Sequence, residues 1–147
     1  MIPAAPLLLG LAGLLPFLWG AATSLSPELA AWSTETLGPR LTGPYAQLQY
    51  GTVILAFMSG VIWGFATRAK GGRAAVWYVA SVLPALWVFF MVGGGVERSA
   101  LALIAGFLGL LFIDWGAWRQ ALAPEWWLRL RLLLTAVVIP CLAVALV

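Results

Sequence analysis

Five uninterrupted apolar runs, each of about 20 residues, constrain the fold of this chain more than any other feature. A helix of that length crosses the hydrocarbon core of a bilayer. The runs lack the alternating pattern of outer-membrane strands, and a helix satisfies its own backbone polar groups in lipid. The sequence therefore predicts an all-α integral membrane bundle of five transmembrane helices in a single domain. The predicted spans are 3–25, 46–67, 74–96, 99–122 and 124–147.

Composition narrows the classes of function. Hydrophobic residues make up 63% of the chain and charged residues 9%, against roughly 45–50% and 25% in soluble domains. There is no histidine, and Cys141 is the single cysteine, so we expect no metal site, no cofactor and no intrachain disulfide. No soluble basic face exists for nucleic acid. The expected partners are membrane lipids and, beyond them, other membrane-protein subunits or a second copy.

The first run and the long connection after it contain the clearest local signals. The run lacks a basic leader and is too long for a signal peptide, so we expect a retained helix in which Pro16 removes a hydrogen bond near mid-span. The outer loop 26–45 is the only long connection. Ser26, Pro27 and Glu28 resemble a helix start and predict a short interfacial helix through about Leu37. We interpret the loop as a connector, with a ligand lid as the alternative.

Small and polar residues punctuate the second and third runs. Gly60 and Gly64 form a small-xxx-small pair, which predicts close helix packing. Ser81, Pro84 and Trp87 follow at intervals of three and could line a cavity. The interpretation we favour is a kinked helix, in which the Ser81 hydroxyl bonds its own backbone and Trp87 packs against neighbouring helices.

The distribution of basic residues predicts the orientation in the membrane. One set of connections contains six of them: Arg68, Lys70, Arg73, Arg119, Arg129 and Arg131. The opposite side has only Arg40 and Arg98. By the positive-inside rule, the N-terminus is cytoplasmic, both basic connections are cytoplasmic, and the long loop and the C-terminus lie outside.

The charged hairpin, residues 114–135, joins the fourth and fifth runs. Asp114 lies eight residues before Leu122, and Arg131 lies seven after Pro124, a proline suited to a first helical position. At about 1.5 Å per residue, both are roughly 11 Å from the turn. A carboxylate inside the apolar zone usually pairs with something. We therefore predict an ion pair between Asp114 and Arg131, with Arg129 turned away toward the interface.

A stripe on the fifth run supports that pairing. Trp127, Arg131 and Thr135 are spaced four apart and can face the fourth helix together. The favoured role of the pair is to fix the register of the hairpin near the headgroups. A substrate or proton pathway and the anchoring of a lipid or partner are the alternatives.

Several short motifs carry a family resemblance. Pro124-x-Trp126-Trp127-x-x-Leu130-Arg131-x-x-Leu134-Thr135, preceded by Asp114, resembles the transmembrane protein 69-like family, a domain of unknown function found in proteobacteria and mitochondria. Other segments similar to this family are Leu15-Pro16-Phe17, Tyr50-Gly51, Trp63-Gly64 and Ser81-Val82-x-Pro84. Trp127 stands where the pattern leads us to expect tyrosine. The resemblance implies a small multi-pass inner-membrane protein without assigned activity, and it singles out Asp114, Arg131, Trp126 and Thr135.

Two functions remain after catalysis is set aside. No serine has a histidine beside it and Asp114 has no second carboxylate nearby, so we expect no enzyme. The leading prediction is an accessory or assembly protein of an energy-conserving complex in a bacterial inner membrane. The alternative is a binder or carrier of a small hydrophobic or anionic ligand, of lipid or quinone type, near Asp114 and Arg131. The predicted ligand or partner surface comprises Trp126, Trp127, Thr135, Ser81 and Trp87.

Overall fold

The computed structural model describes every residue from Met1 to Val147 and contains helices and no strands. The seven α-helices are α1 (Ala4–Ala12), α2 (Leu15–Leu25), α3 (Pro27–Thr36), α4 (Pro44–Ala66), α5 (Gly72–Met91), α6 (Val96–Arg119) and α7 (Trp127–Ala143). Five segments are long and apolar enough to cross a membrane. They are α1 with α2, then α4, α5, α6, and α7 with a short 3-10 turn after it. The predicted fold class is confirmed.

The first span is divided in two. Between α1 and α2 the backbone makes a turn at Gly13 and Leu14, where the Leu14 N–H donates to the Leu11 carbonyl. Pro16 explains the division, because its ring has no N–H for the preceding turn and crowds the carbonyl four residues earlier. No residue of α1 is buried, whereas α2 contributes Phe17 to the core.

The long outer loop contains the predicted short helix. α3 begins after Ser26, whose hydroxyl accepts a hydrogen bond from the Leu29 N–H, and the predicted end near Leu37 is one residue beyond the observed end. The loop is tied to the bundle at Gly43, whose N–H donates to Thr23 Oγ1 over 2.8 Å. The loop therefore packs on the end of α2.

α4 lies at the centre of the bundle, against α2, α5 and α6, and α6 also packs against α7. The core between them is built from large apolar side chains with almost no exposed area: Phe17, Leu55, Ile62, Leu103, Phe107, Leu110 and Leu142. Phe17 and Phe107 meet edge to face with ring centroids 5.9 Å apart. This contact holds the first span against α6.

α5 is a proline-containing helix that neighbouring helices support. Pro84 lies inside the helix and interrupts its backbone hydrogen bonds. The next N–H, that of Ala85, donates instead to Ser59 Oγ of α4 at 2.9 Å. The Ser81 hydroxyl donates to its own backbone at Tyr78, and Trp87 Nε1 donates to the Ala102 carbonyl of α6. These two contacts agree with the favoured interpretation of Ser81 and Trp87, a hydroxyl bonded to its own backbone and a tryptophan packed against a neighbouring helix.

Several predicted helix boundaries differ from the structure, and α6 spans Val96–Arg119 where 99–122 was predicted. α5 ends at Met91 rather than 96, because Gly93, Gly94 and Gly95 all have positive φ angles of 141°, 78° and 123°, which glycine alone adopts readily. α7 begins at Trp127 and not at Pro124, which instead lies in the turn with its carbonyl accepting from the Trp127 N–H.

The predicted packing of Gly60 and Gly64 is not made within the chain. Both glycines are exposed on α4, and a methyl group added at either position would meet no atom within 4 Å. The closest approaches at glycines are those of Gly20 and Gly106. A methyl group at Gly20 would lie 2.9 Å from Gln47 Cβ, and one at Gly106 would lie 2.7 Å from Leu55 Cδ1. The prediction of close packing at Gly60 and Gly64 was therefore wrong for contacts within the chain. The reason is that a glycine pair in the sequence does not show which face of its helix another helix covers.

The two basic connections lie together at one end of the bundle. Arg68, which follows α4, donates from Nη1 to the Leu122 carbonyl in the turn between α6 and α7 over 3.0 Å. Trp77 of α5 donates to Gln120 Oε1 of the same turn at 3.0 Å. The two connections that contain most of the basic residues therefore lie at the same end of the bundle.

Candidate functional site

Asp114 is fully buried in α6, and both of its carboxylate oxygens are used. Oδ2 accepts a hydrogen bond from Arg131 Nε at 2.7 Å, and Oδ1 accepts one from Trp127 Nε1 at 2.7 Å. Arg131 and Trp127 are one turn apart on α7, so the hairpin brings both donors to the same carboxylate. A charge in the hydrocarbon zone is tolerated when it is paired and hydrogen-bonded in this way.

Arg131 is only partly satisfied by this pairing. The residue is 5% exposed, yet its Nη2 is buried without a hydrogen-bond partner. One turn further along α7, Thr135 is also 5% exposed, and its Oγ1 is equally without a partner. A buried donor left unpaired costs about 1–3 kcal/mol, and more for a charged group. Two neighbouring polar groups on one helix face thus lack the partners that burial normally demands.

These groups lie on the wall of a cavity of about 280 Å³, here called the Arg131 cavity. Its walls come from α1, α2, α4, α6 and α7, and twelve of the seventeen lining residues are hydrophobic. Leu9 of α1 and Phe57 of α4 line it and are 75% and 64% exposed. The cavity therefore opens toward the lipid-facing surface between α1 and α4, and Arg131 is the only charged residue on its wall.

The division of the first span shapes this cavity. Gly10 of α1 lies against Leu130 and Leu134 of α7, since a methyl group there would come within 3.1 Å of Leu134 Cδ1. Gly13, at the turn between α1 and α2, lies on the wall beside Tyr50 of α4. The exposed half-helix α1 therefore covers one side of the space in front of Arg131.

The predicted site residues do not all meet at this place. Trp127, Arg131 and Thr135 line the cavity, with Asp114 directly behind Arg131. Trp126 does not line it and packs edge-on against Trp127 at 5.9 Å. Arg129 is exposed, on the other side of α7. Ser81 and Trp87 belong to α5, which contributes nothing to the cavity, so the predicted surface is two separate regions.

Sequence reasoning missed two features of the interior. Gln47 of α4 is fully buried with both side-chain polar atoms unpartnered, next to Gly20. An amide inside an apolar run is a recognisable signal for a buried polar position. The contribution of α1 to the cavity had no such signal, because Pro6, Leu9 and Gly10 read as ordinary membrane-helix residues.

Comparison with known proteins places the chain in a family. The family model described as "Protein of unknown function (DUF3429)" matches residues 2–147. The chain belongs to this family. Transmembrane protein 69 from Xenopus tropicalis is 32% identical over 141 residues, which cover 93% of the chain. The resemblance drawn from the short motifs is thereby confirmed, and the chain is a multi-pass membrane protein of the DUF3429 family.

The relative is the longer protein. The chain spans about half of its length, 51%. It is a eukaryotic protein, so the likeness supports a multi-pass membrane protein without selecting a particular membrane. No solved structure matches the chain.

Proposed function

We propose that this DUF3429 protein is a non-catalytic membrane protein that binds a small, membrane-soluble molecule in the Arg131 cavity. One observation carries the proposal: two buried polar groups without partners, Arg131 Nη2 and Thr135 Oγ1, line a largely apolar cavity that opens toward lipid and also includes Tyr50. Ligand sites are typically apolar cavities with a few polar groups that fix orientation. The sequence left ligand binding as the alternative function, and the geometry supports it best.

The available reactive groups support a binding role rather than catalysis. Both oxygens of Asp114 are occupied by donors. Ser59 accepts from a backbone N–H, and Ser81 donates to a backbone carbonyl. General base or nucleophilic catalysis needs such a group free and beside a partner that activates it. The proposal therefore assigns the polar groups to orientation of the ligand.

The test is retention of a ligand by the purified protein, measured by native mass spectrometry from mild detergent. Ile54 lines the cavity on α4, and Ala56 lies exposed on the same helix outside it. We expect wild type and Ala56→Trp to carry a small hydrophobic molecule and Ile54→Trp to lose it, because the indole fills the space. Equal retention by both variants, or no binding of any added hydrophobic probe by wild type, would contradict the proposal.

The accessory or assembly role in an energy-conserving complex remains a second candidate, favoured by the open face of α4. Gly60 and Gly64 are exposed without neighbours, and small residues let a second membrane helix approach closely. If a partner subunit packs there, Gly60→Leu with Gly64→Leu should abolish its co-purification. Gly109→Leu, at an exposed glycine of α6, is the matched control. A wild-type protein that always purifies alone would count against this role.

The proposed location is a bacterial inner membrane, with the charged hairpin on the cytoplasmic face. The family resemblance and the six basic residues at one end of the bundle support it.

A further inference from the structure

We propose that the polar group of the ligand is an uncharged hydrogen-bond acceptor, a carbonyl oxygen, bound by Arg131 Nη2 and Thr135 Oγ1. The inference rests on the proposed function and specifies the chemistry of that same site. It distinguishes between the two kinds of ligand that the sequence left open, hydrophobic and anionic.

The charges at the site cancel. Arg131 pairs with Asp114 through the 2.7 Å bond from Nε to Oδ2, and these two are the only ion pair of the chain. Their charges sum to zero, and no other charged residue lines the cavity. An anionic headgroup bound to Arg131 would bring a net negative charge into an apolar space. A charge at such depth is strongly disfavoured.

A neutral acceptor meets no such penalty. Its oxygen can take the hydrogen bond that Arg131 Nη2 does not make, and the Thr135 hydroxyl can donate a second one. Hydrogen bonds from a charged donor are stronger than those between neutral groups. The rest of the molecule would then contact apolar walls such as Leu134 and Val138.

Two sources of this chemistry exist in a membrane, namely the carbonyl of a quinone ring and the ester carbonyl of an acyl lipid. Their shared group, a carbonyl oxygen, is the proposed contact, and binding measurements distinguish the two sources. Methyl dodecanoate and a decyl-substituted benzoquinone are suitable probes for the two sources. Dodecane sulfonate has a similar chain and a permanent negative charge.

The experiment compares binding of these probes to the full-length protein in nanodiscs. We expect wild type to bind at least one neutral probe about tenfold or more tightly than the sulfonate. Whichever neutral probe binds more tightly identifies the source. Tighter binding of the sulfonate overturns the inference and leaves the proposed function intact. If no probe binds, the proposed function itself fails.

Two variants and one control variant sharpen the comparison. Asp114→Asn removes the neutralising charge and should shift the preference toward the sulfonate, whereas Arg129→Gln removes an exposed arginine of the same helix and should not. Thr135→Val keeps the shape of the side chain and should weaken the neutral probes about threefold to tenfold without loss of thermal stability. If Asp114→Asn does not fold, the wild-type ranking and Thr135→Val still decide the outcome. An unchanged affinity in Thr135→Val would contradict the assigned contact.

Discussion

At the scale of single residues, the polar interior depends on Asp114. Its two acceptor oxygens draw Trp127 and Arg131 of α7 onto α6, so one carboxylate ties both sides of the hairpin. The pair is buried, and its attraction therefore works against a large desolvation cost. Removal of one partner leaves the other as an isolated buried charge, whereas removal of both does not, so the two losses should not be additive.

A double-mutant cycle tests this coupling. We expect Asp114→Asn or Arg131→Gln alone to lower the free energy of unfolding by about 3–5 kcal/mol. The double variant should lose less than the sum, with a coupling of about 1–3 kcal/mol. Denaturation in a membrane mimetic, followed by tryptophan fluorescence, measures all four proteins. Additive losses would show that the two charges act independently.

Trp127 offers a second prediction at this scale. Trp127→Phe keeps a ring near Phe65, whose centroid is 5.1 Å away, and removes the donor to Asp114. We expect a loss of about 1.5–3 kcal/mol in the free energy of unfolding, because the acceptor is charged. Trp126 is half-buried, and its indole N–H makes no hydrogen bond within the chain. Trp126→Phe is therefore the matched control, and an equal loss in both variants would remove the role given to the hydrogen bond.

Whether the contacts of these residues can be predicted from the sequence depends on whether those contacts are set by neighbouring or by distant parts of the chain. Asp114 and Arg131 could be paired from the sequence because both distances are counted from one short turn, where errors in helix bounds stay small. The same reasoning placed Arg129 away from Asp114. The unpartnered Nη2 of Arg131 could not be predicted, since it depends on Trp127 occupying the second carboxylate oxygen.

At the scale of helices, close approach is set by which glycine faces which neighbour. Gly20 of α2 lies against the backbone of α4, where an added methyl group would be 3.0 Å from the Gln47 nitrogen. The lengths of the uninterrupted apolar runs predicted the number and type of the spans. The covered face of each span arises from contacts between distant segments, and a single sequence does not contain that information.

Two alanine substitutions test this assignment. We expect Gly20→Ala to destabilise the protein by about 1–3 kcal/mol, because backbone cannot move aside as a side chain can. Gly60→Ala adds its methyl group in open space and should be neutral or slightly stabilising. Thermal unfolding of the two purified variants beside wild type measures the difference. Comparable loss in Gly60→Ala would indicate a neighbour on that face of α4.

At the scale of the whole molecule, the end bearing the charged hairpin holds six of the eight basic residues. Arg68 connects the two basic turns through its bond to Leu122, so charge and hydrogen bonding coincide there. The opposite end contains the long loop and α3, fastened through Thr23 and Gly43. Five spans place the two chain ends on opposite sides of the membrane. The remaining question is which of the two ends faces the cytoplasm.

The positive-inside rule predicts that orientation, and cysteine labelling tests it. Cys141 is buried, so a Cys141→Ser background removes the only native thiol. In that background we expect Lys70→Cys to react with a membrane-impermeant maleimide only after the cells are opened. Glu35→Cys in the long loop should react in intact cells. Both positions are exposed, and neither side chain forms an ion pair, so the substitutions should leave the fold unchanged. The reverse pattern would place the charged hairpin outside, against the six-to-two distribution of basic residues.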